Sequence, residues 1–135
     1  MTSNTITRNL VDVRIMLSAL WVARMLTGFV GDVLKFYEPG MMEQILAGEV
    51  DGMPLNQGFR LAAAIIFVLP VFMVYLSLTL PYKANRWANI IVAILFVVYT
   101  LIGVRSYPSA YDRFLLFVSL VANVLSVWYA WNWVQ

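Results

Sequence analysis

The alternation of hydrophobic and polar positions divides the chain into four long apolar segments joined by polar connections. These segments are residues 14–36, 60–80, 87–106 and 111–134. A helix needs about 20 mostly apolar residues to cross a bilayer, and every segment is close to that length. Strands of a membrane barrel need only about ten residues of alternating character. The pattern therefore predicts an all-α fold, an integral membrane four-helix bundle that forms a single transmembrane domain over residues 1–135.

The composition indicates that lipid surrounds this bundle. Hydrophobic residues make up 62% of the chain and charged residues 12%, whereas soluble domains are about half apolar and a quarter charged. So few charges cannot coat four long helices in water. The formal net charge of +2 is too small to indicate nucleic acid as a partner, so the expected partner is the lipid bilayer.

The chain contains neither cysteine nor histidine. Disulfides, zinc sites built from Cys or His, and His-ligated haem are therefore excluded. A catalytic His base and a Cys nucleophile are excluded for the same reason. We predict no metal and no cofactor. The first apolar segment is too long for a signal peptide and lacks a small-residue cleavage site, so we predict that it is an uncleaved span.

The longest connection, residues 37–59, has a helical pattern of its own. Its apolar side chains fall at helical spacing, and Gly48 follows them as a residue that could end a short helix. The spaced residues are Met41, Met42, Ile45 and Leu46. One interpretation is an interfacial helix that lies on the membrane surface, and the other is an ordered connection that only caps the bundle.

Basic residues near the span ends bear on the orientation in the membrane. One side carries Arg8, Arg14, Lys83 and Arg86, and the other carries Lys35, Arg60, Arg105 and Arg113. The two counts are equal. Because the first span usually dominates, we predict that both termini are cytoplasmic.

Small and polar residues recur at helical spacing in every span, and we predict that these stripes face inward, since small residues let helices approach closely in lipid. In the third span they are Asn89, Ala93, Thr100 and Gly103, and in the fourth they are Ser119, Ala122, Asn123, Ser126 and Ala130. Asn85 is predicted to cap the third helix. The aromatic residues Tyr82, Trp87, Trp128, Tyr129, Trp131 and Trp133 are predicted to form an interfacial belt.

Arg24 is the main candidate for function. It lies ten residues into the first segment, which is about 15 Å deep at the helical rise and close to the middle of the bilayer. A charge at this depth costs at least ~2.5 kcal/mol, so it needs partners. Pro70, Tyr99, Thr100 and Asn123 have similar predicted depths in the other spans.

Two interpretations of Arg24 remain open. In the structural one, Arg24 donates to Asn123, to Thr100 and to the carbonyl of Ile66, which Pro70 leaves without its helical partner. In the functional one, Arg24 holds an anionic or carbonyl-bearing ligand inside the bundle, because the nearest carboxylate on its own helix, Asp32, is about 12 Å away.

Asp32 is the second candidate. A salt bridge with Lys35, Arg60 or Arg105 that locks the helix ends is one interpretation. A carboxylate at a cavity mouth that binds protons or attracts cations is the other. We predict a ligand-binding site made of Arg24, Asp32, Tyr99, Thr100 and Asn123, and no catalytic residue.

Several short patterns resemble a bacterial four-span membrane family, domain-of-unknown-function family 6326. They are the run 85–90 (NRWANI), Leu20-Trp21, Gly31-Asp32, Tyr37-x-Pro39-Gly40, Pro70-x-x-Met73-Val74-x-x-Ser77, and the ending 128–133 (WYAWNW). The resemblance covers nearly the whole chain and implies four helices in a bacterial inner membrane, without implying an activity. A weaker likeness links Arg24, Gly28, Gly31 and Lys35 to DoxX-type four-helix membrane proteins.

These observations leave three hypotheses for function. The first is a protein that binds a small amphipathic or anionic molecule, or a membrane partner, within the bundle. The second is a small transporter of an anionic solute that works as a homodimer. The third is an enzyme that acts on lipid or quinone at the membrane surface, with Asp32, Tyr37 and Glu38 as its site, although no recognisable catalytic set supports it.

Overall fold

The chain folds into four long helices, with a short helix and a small hairpin between the first two. The structure is a computed structural model that describes residues 3–134, with side chains from Val13 onward. Its elements are α1 (Ser3–Lys35), α2 (Met41–Leu46), β1 (Glu49–Val50), β2 (Met53–Pro54), α3 (Gln57–Thr79), α4 (Tyr82–Gly103) and α5 (Ala110–Trp131). A single 3-10 turn, Val104–Ser106, follows α4. Arg8, used above for orientation, lies outside the residues whose side chains are described.

The predicted all-α four-helix bundle is confirmed, because the chain is 81% helical and four of its helices are long and apolar enough to cross a membrane. The spans are Val13–Lys35, Gln57–Thr79, Tyr82–Ser106 and Ala110–Trp131. Helix α1 packs along both α3 and α5, and α4 packs along α5. Helices α3 and α4 touch each other little. The bundle is therefore closed on three seams and loosely packed on the fourth.

The two ends of the bundle differ. The loop side carries α2, the hairpin and the α4–α5 connection, and the terminal side carries the α3–α4 turn at Leu80–Pro81 and the end of α5. On the loop side, Gly48 follows α2 with φ of 84°, a left-handed conformation that suits glycine after a helix. The two strands that follow pair antiparallel, with Val50 opposite Met53.

Helices α3 and α4 are among the helices that start earlier than the apolar pattern indicates. Helix α3 begins at Gln57 rather than Arg60, because Asn56 accepts a hydrogen bond from the Phe59 amide at 2.8 Å and caps it. Helix α4 begins at Tyr82, directly after Pro81. The prediction that Asn85 caps α4 is therefore wrong, since this residue lies inside the first turn of the helix.

The terminal-side half is tightly packed around a polar network. Trp21 Nε1 donates to Asn89 Oδ1 at 2.7 Å, and the Ser77 hydroxyl donates to the same oxygen at 3.2 Å. Asn89 Nδ2 donates to Asn85 Oδ1 at 2.7 Å, and Asn85 Nδ2 donates to the Ser77 carbonyl at 2.7 Å. Beside this network, Trp21 packs with Met73, Ala93 and Phe96. Three helices are thus locked together in this half.

The small and polar stripes predicted to face inward are buried in α4 and α5. The buried members are Asn89, Ala93, Thr100, Ser119, Ala122, Asn123, Ser126 and Ala130. One member of the predicted aromatic belt belongs to the core instead. Trp133 is buried, its ring packs edge-on against Tyr82, and its carbonyl accepts from the Tyr82 hydroxyl at 2.6 Å.

Candidate functional site

A cavity of about 570 Å³ occupies the loop-side half of the bundle. Its walls come from α1, α3, α4 and α5, and α2 and the hairpin cover its outer end through Met41, Ile45, Val50 and Met53. The walls begin at the level of Arg24 and extend toward the loop side, while the layer formed by Trp21, Met73, Ala93 and Phe96 lies beneath them. The cavity therefore has a packed floor at mid-membrane, and its mouth is the loop-side end that α2 and the hairpin cover.

Arg24 lies at the floor of this cavity. It is the middle residue of the 23-residue span Val13–Lys35, and only 9% of its surface is exposed. Its Nε is buried and has no hydrogen-bond partner among the residues with described side chains. Salt bridges to Arg24 are likewise absent from that part of the chain. The cation that the sequence places near the middle of the first span thus lies at the middle of that span in the fold, without a counter-ion among the residues whose side chains are described.

Two neighbours shape the space around the guanidinium. The ring of Phe96 lies beneath it, with Arg24 Cζ 4.6 Å from the ring centroid, which is within the range of a cation–π contact. Gly28, one turn further along α1, leaves the other side open, because a Cβ at this position would lie 3.2 Å from Arg24 Nη1. The guanidinium therefore contacts the aromatic face of Phe96 on one side, and the missing side chain of Gly28 leaves room for it on the other.

The hydrogen bonds predicted for a purely structural Arg24 are not formed. Arg24 donates neither to Asn123, nor to Thr100, nor to the Ile66 carbonyl, within the described residues. Asn123 is 1% exposed, lies outside the cavity lining, and leaves its own Nδ2 without a partner. Asn123 therefore does not join the site, although depth along the sequence predicted that it would.

The other predicted site residues line the cavity. Thr100 is buried at the wall, and Tyr99, half exposed, lies beside it on α4. Asp32 lines the mouth from α1. The salt bridge predicted for Asp32 is absent from the described part of the chain, because the neighbouring Lys35 pairs with Asp51 of the hairpin instead. The structure thus brings together Arg24, Asp32, Tyr99 and Thr100 around one space.

Sequence reasoning missed Asp112 and Phe96. Asp112 is 7% exposed and lines the mouth from the first turn of α5. Its spacing to Ser119 and Asn123 places it on the inward stripe of the fourth span, so helical periodicity carried a signal that could have found it. Phe96 lies three residues after Ala93 and four before Thr100, so the same periodicity places it on the inward stripe of the third span, although nothing in the sequence marks this aromatic residue as the partner of a cation.

Outside the spans, two groups on the loop side have shifted pKa values. Burial raises the pKa of Tyr107, which lines the mouth, so its hydroxyl stays protonated and can donate. Hydrogen bonds from Ser109 and Tyr111 lower the pKa of Glu38; the first spans 2.5 Å and the second 3.0 Å. This carboxylate clamps the end of α1 to the start of α5.

The cavity combines an apolar wall with a few polar groups at its two ends, which is the usual make-up of a small-molecule site. Carbon atoms dominate its surface, while Arg24 supplies donors at the floor and Asp32, Asp112 and Tyr107 supply polar groups at the mouth. Clusters of three or more side chains able to hold a metal ion are absent from the described residues. The arrangement can bind an amphipathic molecule and position its oxygen acceptor at Arg24.

A protein-family profile described as "Family of unknown function (DUF6326)" matches residues 9–135. Comparison with curated proteins and with solved structures gives no match. The likeness to DoxX-type proteins is not tested by these comparisons and stays a prediction.

Proposed function

The chain belongs to this family of unknown function, and we propose that it binds a small amphipathic molecule inside the bundle, with Arg24 holding an anionic or carbonyl oxygen. A guanidinium offers several donors and no acceptor, so the group that faces it has to be an oxygen acceptor. The apolar walls contact the rest of the molecule.

The observation that carries this proposal is the unpaired guanidinium of Arg24 at the floor of the cavity. A buried charge without a partner is costly, and protein interiors normally satisfy such groups. The asparagines of the terminal-side half illustrate the contrast, since Asn85 and Asn89 are bonded to one another and to their neighbours. A ligand oxygen at Arg24 would supply the missing partner.

The packed floor favours binding over transport. A transporter has to expose its site to both sides of the membrane in turn, and the layer around Trp21 separates Arg24 from the terminal side through a buried, hydrogen-bonded network. The transporter and enzyme hypotheses both stay predictions, and no observation in the described part of the chain favours either of them.

The test is direct binding of tritiated dodecanoic acid to the full chain in lipid nanodiscs, with empty nanodiscs subtracted. Replacement Arg24→Met keeps the side-chain volume roughly similar and removes the charge. We expect it to weaken binding by about tenfold or more, because a hydrogen bond to a charged group contributes about 1.5 to 3 kcal/mol.

The matched control is Arg105→Met, which removes an exposed arginine outside the cavity lining and should leave the affinity unchanged. Ala63→Phe is a second test of binding in the cavity. Ala63 lines the wall, so a larger side chain would fill the cavity without altering its charge and should weaken binding. Equal binding by the wild type and both cavity variants would disprove the proposal.

We also propose that the membrane is a bacterial inner membrane, that both termini are cytoplasmic, and that the chain associates with a second copy or with another membrane protein. Support for the orientation comes from the first span, which usually dominates and whose terminal-side end carries Arg14, bonded to the Leu78 carbonyl. Because the chain has no cysteine, a cysteine introduced at Lys83 can be tested in intact cells with a membrane-impermeant maleimide. Protection from labelling supports cytoplasmic termini, and labelling contradicts them.

A further inference from the structure

Two carboxylates at the cavity mouth have no protein donor bound to them. Asp112 projects from the first turn of α5 and is only 7% exposed, and Asp32 lines the same cavity from α1, the helix that packs along α5. Within the chain segments whose side chains are described, neither carboxylate takes part in a salt bridge or accepts a side-chain hydrogen bond.

The nearest cation is already engaged. Lys35 also lines the cavity, but its ammonium group pairs with Asp51 of the hairpin and lies 5.2 Å from the ring centroid of Tyr107. The mouth therefore keeps unneutralised negative charge, while the floor keeps the unpaired positive charge of Arg24. Eight residues of α1 separate Arg24 from Asp32, which is about 12 Å along the helix.

A favourable helix dipole explains the position of only one of the two carboxylates. Asp112 lies at the N-terminal end of α5, where a helix favours negative charge. Asp32 lies in the last turns of α1, where the helix disfavours it. Asp32 is exposed, but the dipole of α1 destabilises a carboxylate at this end of the helix, so a local rule is broken here, as is common at functional sites.

We propose that the molecule bound in this cavity is dipolar, with an oxygen acceptor at Arg24 and a cationic amine at Asp32 and Asp112, separated by an apolar middle about 12 Å long. This inference rests on the proposed function, since it concerns the other end of the same ligand. A simple anion meets the repulsion of the two carboxylates at the mouth, and a simple cation meets the repulsion of Arg24 at the floor. A molecule with both poles satisfies all three groups.

The test compares three probes of equal chain length in nanodiscs that hold the full chain: ω-aminododecanoic acid, dodecanoic acid and dodecylamine. We expect the amino acid to bind about tenfold more tightly than either of the other two, because it alone forms charge-assisted hydrogen bonds at both ends. Equal affinity for the amino acid and for dodecanoic acid would overturn the dipolar inference.

Replacement Asp112→Asn gives the sharper readout. It should weaken binding of ω-aminododecanoic acid by about tenfold and at the same time strengthen binding of dodecanoic acid, since one repulsive charge is gone. A merely structural role of Asp112 would lower the affinity for both probes and would contradict the inference. Asp32→Asn should likewise weaken binding of ω-aminododecanoic acid and strengthen binding of dodecanoic acid. This variant replaces Asp112→Asn in the test if Asp112→Asn does not fold. Glu43→Gln, an exposed carboxylate outside the cavity lining, is the matched control and should change neither affinity.

The two proposals fail in different ways. If Arg24→Met leaves the binding of dodecanoic acid unchanged, the proposed function fails and the dipolar inference fails with it. The other case is that Arg24→Met abolishes that binding but Asp112→Asn leaves the preference for ω-aminododecanoic acid over dodecanoic acid unchanged. The proposed function then stands, and only the dipolar inference is overturned.

Discussion

Arg24 combines two properties that rarely occur in one residue of a membrane span: it carries a permanent charge, and its buried Nε has no hydrogen-bond partner in the described part of the chain. The contact with the Phe96 ring offsets part of the cost of burial, since a desolvated cation–π pair contributes about 2 kcal/mol. The cost of an arginine at the centre of a span is larger, at ~2.5 kcal/mol or more. The cation–π contact therefore does not fully offset the cost of burying Arg24, and the residue destabilises the bundle when no ligand is bound.

This balance predicts that Arg24→Met stabilises the protein by about 0.5 kcal/mol or more, the difference between the two magnitudes, even though it removes binding. The measurement is unfolding in mixed dodecylmaltoside and SDS micelles, followed by circular dichroism. Arg105→Met, at the exposed end of the third span, should change stability by less than about 0.5 kcal/mol. A lower stability of Arg24→Met would show that the guanidinium has a structural role.

Two asparagines at similar burial allow a second prediction at this scale. Asn89 is bonded to Trp21, Ser77 and Asn85, whereas Asn123 has an unpartnered Nδ2. Replacement Asn89→Leu leaves several buried groups without partners and should cost about 2 kcal/mol. Asn123→Leu removes a group that is already unsatisfied and should be neutral or stabilising.

The same unfolding assay measures both asparagine variants. The two substitutions make the same chemical change, so each serves as the control for the other. Equal losses of stability in the two variants would contradict the assignment of Asn89 to a satisfied network and of Asn123 to an unsatisfied position.

The sequence predicted well which residues face the inside of the bundle, but it predicted less well which of these residues contact one another across helices. Depth along each span placed Arg24, Thr100 and Asn123 at one level, but depth carries no information on the rotation of one helix against another. Asn123 therefore lies outside the cavity, whereas Phe96, which shares the inward stripe of α4 with Ala93 and Thr100, lies under the guanidinium.

Among the elements, the connection between α1 and α3 was predicted only in part. The helical spacing of its apolar residues indicated a short helix, and α2 lies there. The hairpin after it was missed, although Asp51-Gly52 at its turn is the strongest short-range hairpin signal in the chain, and both residues adopt positive φ. The salt bridge from this turn to Lys35 depends on the fold of both partners and could not be read from the sequence.

The clamp between α1 and α5 gives a prediction for pH at the element scale. Hydrogen bonds from Ser109 and Tyr111 lower the pKa of Glu38 below its ordinary value of 4.5. The folded state therefore binds the Glu38 proton more weakly than the unfolded state, so the clamp contributes stability above pH 4.5 and loses it as the pH falls through the lowered pKa.

Glu38→Gln imitates the protonated carboxyl. We expect it to lower the melting temperature at neutral pH, and we expect its difference from the wild type to shrink as the pH falls below about 4.5. Glu43→Gln, whose carboxylate is exposed on α2, should show no such dependence. A difference between wild type and Glu38→Gln that is constant with pH would rule out the clamp.

For the whole molecule, the asymmetry of packing decides where movement is expected. The terminal-side half joins α1, α3 and α4 through the network of Trp21, Ser77 and Asn89. In the loop-side half the cavity separates α3 from α4, and these two helices touch little. The distance between them in this half is therefore the coordinate most sensitive to a ligand that contacts both walls.

Pairs of spin labels test this expectation, and the absence of native cysteine restricts labelling to the introduced sites. One pair, Ala64→Cys with Ile102→Cys, reports on α3 and α4 in the loop-side half. A second pair, Tyr75→Cys with Ile91→Cys, reports on the same helices in the terminal-side half. All four native side chains are exposed on the outside of the bundle.

Saturating ω-aminododecanoic acid should narrow the distance distribution of the loop-side pair and leave that of the terminal-side pair unchanged. The reason is that a ligand in the cavity bridges walls that otherwise lack contact, whereas the hydrogen-bonded half already holds one arrangement. An equal response of both pairs would mean that the bundle moves as a unit, and no response in either would place the ligand outside the cavity. The loop-side half, which is the more loosely packed half, is also the half that contains Arg24, so the helices that are expected to move are those that face the proposed ligand.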